Sequence, residues 1–147
     1  DPSLIDRMSH EALRMTSPVM HMRRTATEDT EIAGQRIAEN EKVIMWYGAA
    51  NRDPAVFPNP DVFDLTRKNV EKHVAFGHGV HRCLGNRIAQ MQLRMAYERI
   101  LERFPNIHWT GKQKIEPIIL VHAISSLKVN LYGKGAKRPV KVAMPNQ

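Results

Sequence analysis

A glycine-rich segment, Phe76–Gly85, lies immediately ahead of the longest amphipathic stretch of the chain. Gly77, Gly79 and Gly85 allow backbone angles and close approaches that other residues forbid, so the segment predicts a tight loop. The stretch from Leu84 to Phe104 repeats apolar residues at helical spacing and predicts a long helix. The order of these two segments, loop and then helix, is the strongest constraint that the sequence places on the fold.

The only cysteine of the chain, Cys83, lies in this loop just before the predicted helix. The free N–H groups and the positive dipole end of a helix N-terminus favour a negative sulfur, and His81 and Arg82 add donors or positive charge. A single cysteine excludes an internal disulfide framework and a four-cysteine zinc site. It indicates either a thiol retained for its chemistry or a reducing compartment, which we expect to be the cytoplasm.

The residues alone leave other interpretations of Cys83 open. A lone cysteine without context is most often a small buried hydrophobic residue. His78, His81 and Cys83 offer nitrogen and sulfur ligands for zinc, although a fourth ligand would have to come from elsewhere. Cys83 could also be a nucleophile activated by His81, but no third triad member stands out in the sequence.

The spacing Phe-x-x-Gly-x-x-x-Cys-x-Gly, formed by Phe76, Gly79, Cys83 and Gly85, resembles the haem-binding signature of the cytochrome P-450 family. The fuller form Phe-Gly-x-Gly-x-His-x-Cys-x-Gly resembles that of its soluble bacterial members. The resemblance implies an α+β chain that forms the C-terminal part of a mainly helical fold. It also implies that Cys83 is the axial thiolate ligand of the iron of haem b. The loop residues expected to bind the cofactor are Phe76, Gly77, Gly79, His81, Cys83 and Gly85.

Glu11 and Arg14 lie three residues apart on a helix that we expect from Leu4 to Met15, so they can face the same side. Taken alone, such a pair is most often a surface ion pair that adds little stability. The resemblance implies instead a structural Glu-x-x-Arg pair that supports the cysteine loop together with a residue of the later coil. Within that coil, residues 51–64, we expect Arg52 to be the third member.

The remaining segments predict short strands and turns. We expect Ser3 to cap the first helix and Gly34-Gln35 to form a hairpin turn. The expected strands cover Val19–Thr25, Glu31–Ala33, Arg36–Ile37, Lys42–Tyr47, Ile107–Trp109, Pro117–Leu120 and Leu127–Tyr132.

Charge is concentrated near the end of the chain. The net charge is +7, and residues 111–147 hold seven basic residues and one acid. We therefore expect residues 134–147 to form a basic, flexible tail. The resemblance implies that residues 1–133 form the haem-proximal C-terminal part of a single domain. We find no nucleic-acid motif and no apolar run of membrane-spanning length, so we expect neither a nucleic-acid partner nor a membrane-spanning segment.

The resemblance also assigns expected positions around the cofactor. Arg24 occupies the strand position that supplies a propionate-binding arginine in the family, and His81 is the second candidate. Arg23 competes with Arg24, because adjacent strand residues face opposite sides. The expected substrate-facing residues, which are equally consistent with plain core, are Val19, Met20, Val121 and His122.

The implied activity is that of a monooxygenase that inserts one atom of dioxygen into a small hydrophobic substrate such as an alkane, fatty acid or terpene. Electrons would come from a ferredoxin or flavodoxin. Basic residues near the sulfur could receive such an acidic donor, or they could be ordinary solvated charges. These residues are Arg82, Arg87, Arg94, Lys68 and Lys72.

Members of the family are much longer, so the chain resembles roughly the C-terminal third of one. The distal Ala-Gly-x-x-Thr motif of the family does not occur in these residues. We therefore expect the chain alone not to complete turnover. A haem-binding or redox-sensing module without turnover is one alternative, and a cysteine or zinc protein unrelated to haem is another.

Overall fold

A computed structural model describes residues 1–134. Its helices and strands, in chain order, are α1 (Ile5–Thr16), β1 (His21–Thr25), β2 (Thr30–Ile32), β3 (Gln35–Ile37), β4 (Lys42–Trp46), α2 (Tyr47–Ala50), α3 (Asn86–Arg103), β5 (His108–Glu116) and β6 (Ala123–Asn130). Short 3-10 helices cover Pro2–Leu4, Val70–Lys72 and Gly79–His81. Within the described residues the strands form antiparallel pairs, β1 with β4, β2 with β3 and β5 with β6. The expected α+β class is confirmed. Apart from Lys134, the expected tail lies outside the described residues.

The first helix begins differently from the prediction. The chain enters α1 through the 3-10 helix Pro2–Leu4, which places Ser3 inside the turn. The carboxylate of Asp1 caps this turn by accepting the Ser3 N–H at 2.9 Å. The expectation that Ser3 is the cap is therefore wrong. At the other end, Ser17 closes α1 with φ 40°.

The β2–β3 hairpin turns one residue earlier than expected. Ala33 and Gly34 have φ 50° and 81°, which two-residue hairpin turns of this kind require at both central positions. Gln35 already pairs with Ile32, so it belongs to β3.

The hairpin of β5 and β6 replaces several shorter predicted strands. Pro117–Leu120, expected as a strand, instead connects β5 to β6, since Pro117 has no N–H to donate to a ladder. This connection docks on the segment that follows α1. Val121 bridges Val19, and the Met20 N–H donates to the Leu120 carbonyl at 2.9 Å.

The long segment between α2 and α3 contains only short 3-10 helices, as its prolines and glycines predicted. Phe57 and Val70 are almost fully buried within it, 1% and 3% exposed. They form a small core with Ile5 of α1. The predicted long helix is confirmed as α3, although its apolar side chains are largely exposed. No helix of the described residues is long and apolar enough to cross a membrane.

Candidate functional site

The loop around Cys83 is folded back on itself by backbone hydrogen bonds. The Cys83 N–H donates to the Phe76 carbonyl at 2.8 Å, and the Arg82 N–H donates to the Gly79 carbonyl at 3.0 Å. The cysteine side chain is exposed, three residues before α3 begins. Its exposure excludes the interpretation of Cys83 as a buried hydrophobic residue.

Two of the loop glycines are required by the backbone. Gly77 and Gly79 have φ +74° and +63°, a region that other residues rarely adopt. A Cβ on Gly77 would also lie 3.3 Å from the His81 carbonyl oxygen. At Gly85 a Cβ would lie 3.7 Å from the sulfur of Cys83, an ordinary contact, so this glycine keeps space open beside the sulfur.

An open pocket of about 470 Å³ lies between β1, β4 and the cysteine loop. It brings together Arg24 and His81, the two residues expected to bind carboxylates. Arg24 is partly buried and donates to the Arg23 carbonyl at 2.9 Å, whereas Arg23 is exposed. The remaining lining residues are Met45, Trp46, Tyr47, Ala50, Val74 and His78.

A buried ion-pair network supports the segment that leads to this loop. Arg14 donates to both carboxylate oxygens of Glu11 at 2.8 Å, and both side chains are fully buried. Arg67 donates to the same carboxylate at 3.3 Å, with its side chain 4% exposed. The ring of Phe57 lies beneath both guanidinium groups, 5.3 Å and 6.0 Å from their central carbons.

The third member of this network is Arg67, so the expectation for Arg52 is wrong. Arg52 pairs with the exposed Asp61 at 3.2 Å and donates to the Met15 carbonyl at 2.9 Å. The irregular coil carries Arg67, fifteen residues further on, back to Glu11, and no periodicity in the sequence signals this return. Sequence reasoning missed Arg67 for that reason.

The network keeps Glu11 ionised despite its burial. Burial alone raises the pKa of a carboxyl group, because it disfavours the charged form. Hydrogen bonds from Arg14 and from the Asp64 N–H, together with the Arg14 charge and a hydrogen bond from Arg67, outweigh this effect and lower the pKa of Glu11.

Asn51 links the end of α1 to the segment that enters the cysteine loop. Its side chain is fully buried, donates to the Ser17 hydroxyl at 2.8 Å and accepts the Val74 N–H at 2.7 Å. Arg14 donates to its backbone carbonyl at 2.8 Å. A buried amide with partners for both of its ends fixes the distance between two segments. No spacing in the sequence distinguishes Asn51 from the other polar residues of the coil, so its role was not predicted.

The residues expected to face the substrate fall in two segments that the fold brings together. Val19 bridges Val121, and the His122 N–H donates to the Pro18 carbonyl at 2.8 Å. The His122 ring contacts the Thr16 carbonyl at 2.8 Å and lines a second, largely apolar pocket of about 400 Å³. The other residues of this pocket are Met15, Thr16, Pro18, Arg52, Ile115, Ala123 and Ile124.

The zinc alternative finds no support in the part of the chain that the structure describes. Among residues 1–134 no group of three or more histidine, cysteine, aspartate or glutamate side chains is arranged to hold a metal ion. His78, His81 and Cys83 therefore do not form such a group.

Comparison with known proteins gives a consistent result. Residues 3–129 match the family model described as Cytochrome P-450. Linalool 8-monooxygenase of Pseudomonas putida is 44% identical over 133 residues, which are 90% of this chain and 32% of that protein. A steroid C26-monooxygenase of Mycobacterium tuberculosis is 39% identical over 128 residues, 87% of this chain and 34% of its own length.

A solved structure, cytochrome P-450-153 from Novosphingobium aromaticivorans, is 44% identical with a TM-score of 0.82 and covers 88% of this chain and 33% of its own. The chain thus spans about a third of the length of the relatives that it matches. On the family match, the identities and the shared fold, the chain belongs to the cytochrome P-450 family.

Proposed function

We propose that this chain forms the proximal, cofactor-binding part of a haem-thiolate monooxygenase, with Cys83 as the axial ligand of haem b. The observation that carries the proposal is the exposed side chain of the only cysteine, held just before α3 by a loop in which Gly77 and Gly79 have positive φ. When bound, haem supplies dioxygen activation, which a thiolate ligand promotes by donating electron density.

The residues around the sulfur fit a flat, apolar cofactor. Leu84 follows Cys83 directly and Val80 precedes it by three residues, and their apolar side chains are 99% and 97% exposed. Exposed apolar groups of this kind favour burial against an apolar surface. Cys83 lies three residues before α3 and next to Arg82 in the chain, so the positive end of the helix and a cationic side chain are both close to it in sequence.

Arg24 and His81 would hold the propionates of the cofactor. They line the same pocket from opposite elements, β1 and the cysteine loop, next to the apolar side chains of Met45 and Val74. Within residues 1–134 Arg24 forms no ion pair, so its guanidinium is available to donate hydrogen bonds to a propionate carboxylate. Its partial burial and place in the pocket favour Arg24 over the exposed Arg23.

The proposed substrate is a small hydrophobic molecule, in keeping with relatives named for linalool and steroid oxidation. Val19 and Met20 would contact it together with Val121 at the tip of the β5–β6 hairpin. Next to Val121 the tip exposes apolar side chains, with Ile119 81% exposed. His122 turns toward the second pocket, and we place it at the edge of the substrate region.

The proposed electron donor is an acidic ferredoxin or flavodoxin in the cytoplasm. Arg82 and Arg87 are exposed and close to Cys83 in the chain, and they would attract it together with the exposed Lys68 and Lys72. Arg94 contributes less, because Glu98 pairs with it at 2.9 Å and offsets its charge.

A haem-binding or redox-sensing module without turnover is the second candidate. The matched residues are 32% of the length of linalool 8-monooxygenase. These residues contain no Ala-Gly-x-x-Thr motif. In that case the 147-residue chain binds haem without hydroxylating a hydrocarbon.

The test is a titration of the full chain with haem, followed by reduction and addition of carbon monoxide. A thiolate-ligated haem gives a strongly red-shifted Soret band, and Cys83→Ser should abolish it. Because the side chain of Cys83 is exposed, the variant should keep its far-ultraviolet circular dichroism spectrum. A red-shifted band that survives in Cys83→Ser, or stoichiometric binding of zinc in place of haem, would contradict the proposal.

A further inference from the structure

A buried histidine lies three residues before the cysteine loop. His73 is 9% exposed, and its two ring nitrogens both have partners. Nδ1 accepts the Ala75 backbone N–H at 3.2 Å, and Nε2 lies 3.2 Å from Nδ1 of His10 on α1. The ring also packs against Phe76, with 6.0 Å between the ring centroids.

These partners determine the proton positions on both rings. A backbone N–H can only donate, so Nδ1 of His73 carries no proton and the neutral ring carries its proton on Nε2. That proton points to Nδ1 of His10, which therefore accepts it. The hydrogen bonds require both imidazoles of the pair to be neutral.

The surroundings of His73 favour the neutral form. Burial is the main cause, followed by the repulsion that a protonated His10 would exert and by the positive charge of Arg82, and together they lower the pKa of His73 to about 4. The other charged groups that face it are Glu71, which opposes the shift, and Arg14 on α1.

The contacts continue from this pair to the sulfur-bearing residue. His10 on α1 contacts His73, which holds Ala75 and packs on Phe76, and the Phe76 carbonyl accepts the Cys83 N–H at 2.8 Å. We propose that His73 is a positioning residue for Cys83, acting through Ala75 and Phe76 as its neutral Nε2–H tautomer, which the Ala75 N–H selects and His10 accommodates. The effect on iron ligation rests on the proposed function, whereas the positioning of the loop does not.

Two substitutions separate the contacts of His73. In His73→Asn the side-chain oxygen can replace Nδ1 as the acceptor for Ala75. In His73→Gln the longer amide can still donate to His10 but offers no acceptor at the Nδ1 position. We therefore expect His73→Asn to keep the loop as ordered as in wild type, and His73→Gln to loosen it.

The first measurement is amide hydrogen exchange by NMR on the haem-free, full 147-residue chain. His73→Gln should speed exchange of the Ala75 and Cys83 amides about tenfold, as expected for the loss of one buried hydrogen bond, whereas His73→Asn should stay within about threefold of wild type. The Val74 amide is the internal reference, because Asn51 holds it independently at 2.7 Å. Equal exchange in all three proteins, or equal acceleration in both variants, would overturn the proposal.

The second measurement remains decisive even where both variants lose their fold. Nitrogen-15 shifts of the His73 ring in the wild-type chain at neutral pH should report the Nε2–H tautomer. An Nδ1–H or doubly protonated ring would contradict the assignment and the proposal with it.

The third measurement uses the haem-loaded chain. The fraction of the ferrous carbon monoxide complex with the red-shifted Soret band should fall in His73→Gln and recover in His73→Asn. Absence of that band in wild type contradicts the proposed function alone, and the exchange and tautomer results still decide the role of His73. If the fraction with the red-shifted band is the same in His73→Gln as in wild type, the proposal that His73 positions Cys83 is wrong.

Discussion

The carboxylate of Glu11 is removed from water completely, and only its partners make this burial tolerable. An unpaired buried charge costs several kcal/mol, whereas a paired and hydrogen-bonded one can be retained. Arg14 satisfies both carboxylate oxygens, and Arg67 adds a third guanidinium contact. Each arginine in turn packs on the face of Phe57, which keeps water away from the group.

At the scale of single residues, this arrangement distinguishes Arg67 from Arg52. Arg67→Ala should lower the free energy of unfolding by about 3–5 kcal/mol, because it removes a buried cation from the Glu11 network. Arg52→Ala is the matched control and should cost about 1 kcal/mol or less, since its ion pair with Asp61 is largely exposed. Urea unfolding of the two variants measures both values, and similar losses would show that Arg67 is not the structural partner.

His73 should make stability depend on pH. Its pKa is about 4 in the folded chain and has an ordinary value of 6.5, so between these values the unfolded chain binds one more proton. Stability therefore falls as the pH drops from 6.5 to 4. We expect a loss of about 2 kcal/mol between pH 7 and pH 5.

The comparison that isolates this effect is His73→Asn, which cannot titrate. The difference in free energy of unfolding between wild type and His73→Asn should shift by about 2 kcal/mol between pH 7 and pH 5. A difference that stays constant with pH would mean that His73 is solvated and titrates normally in the folded chain.

Among the elements, the β2–β3 hairpin carries a turn residue that fits its backbone poorly. Ala33 has φ 50°, and the left-handed region costs a residue with a Cβ about 1 kcal/mol unless, as in asparagine, a polar side chain compensates. Ala33→Asn should therefore raise the free energy of unfolding by about 0.5–1 kcal/mol. Thermal unfolding measures the change.

Gly34→Ala is the matched control for this turn. A Cβ on Gly34 meets no atom within 4 Å, so only its φ of +81° opposes the substitution. The variant should lose about 1 kcal/mol. Stabilisation by Gly34→Ala would contradict the assigned turn geometry.

The β5–β6 hairpin shows how one element positions another. Its ladder is irregular, with register shifts between Trp109 and Lys112 and between Lys114 and Ile115. The hairpin nevertheless reaches the segment that follows α1, because two backbone hydrogen bonds join its connection to that segment and form the bridge between Val19 and Val121. Side chains proposed to face the substrate are thereby brought beside each other from positions about a hundred residues apart.

At the scale of the whole molecule, the described residues leave a large apolar face on α3. Ile88, Met91 and Met95 are 58%, 55% and 56% exposed and lie on one side of the helix. Contiguous exposed apolar surface of this kind binds hydrophobic molecules or associates.

A hydrophobic fluorescent dye should therefore bind the 147-residue chain. Met91→Lys should reduce the dye fluorescence by about half, because it places a charge in the centre of the apolar face. Gln92→Lys adds the same charge at the neighbouring exposed position and should leave the fluorescence nearly unchanged. Equal reductions would show that the dye responds to net charge rather than to this face.

Local sequence patterns determined the parts of this protein that depend on near neighbours. Glycine spacing predicted the loop that presents Cys83, and helical periodicity predicted α1 and α3 within two residues at each end. The Glu11–Arg14 contact also followed from their spacing, because helix geometry alone places residues three apart on one face. The ten-residue cysteine motif was sufficient to indicate the family.

Only the tertiary structure decided which distant residues complete the buried network and the site. Arg67, Asn51 and His73 lie in coil, where no period relates sequence spacing to position in space, so the partner of Glu11 could not be read from spacing and Arg52 was the wrong choice. Burial decided their roles as well. The same guanidinium group adds little to stability at the surface but becomes essential to the fold once it is enclosed beside a carboxylate, because solvent no longer screens the pair.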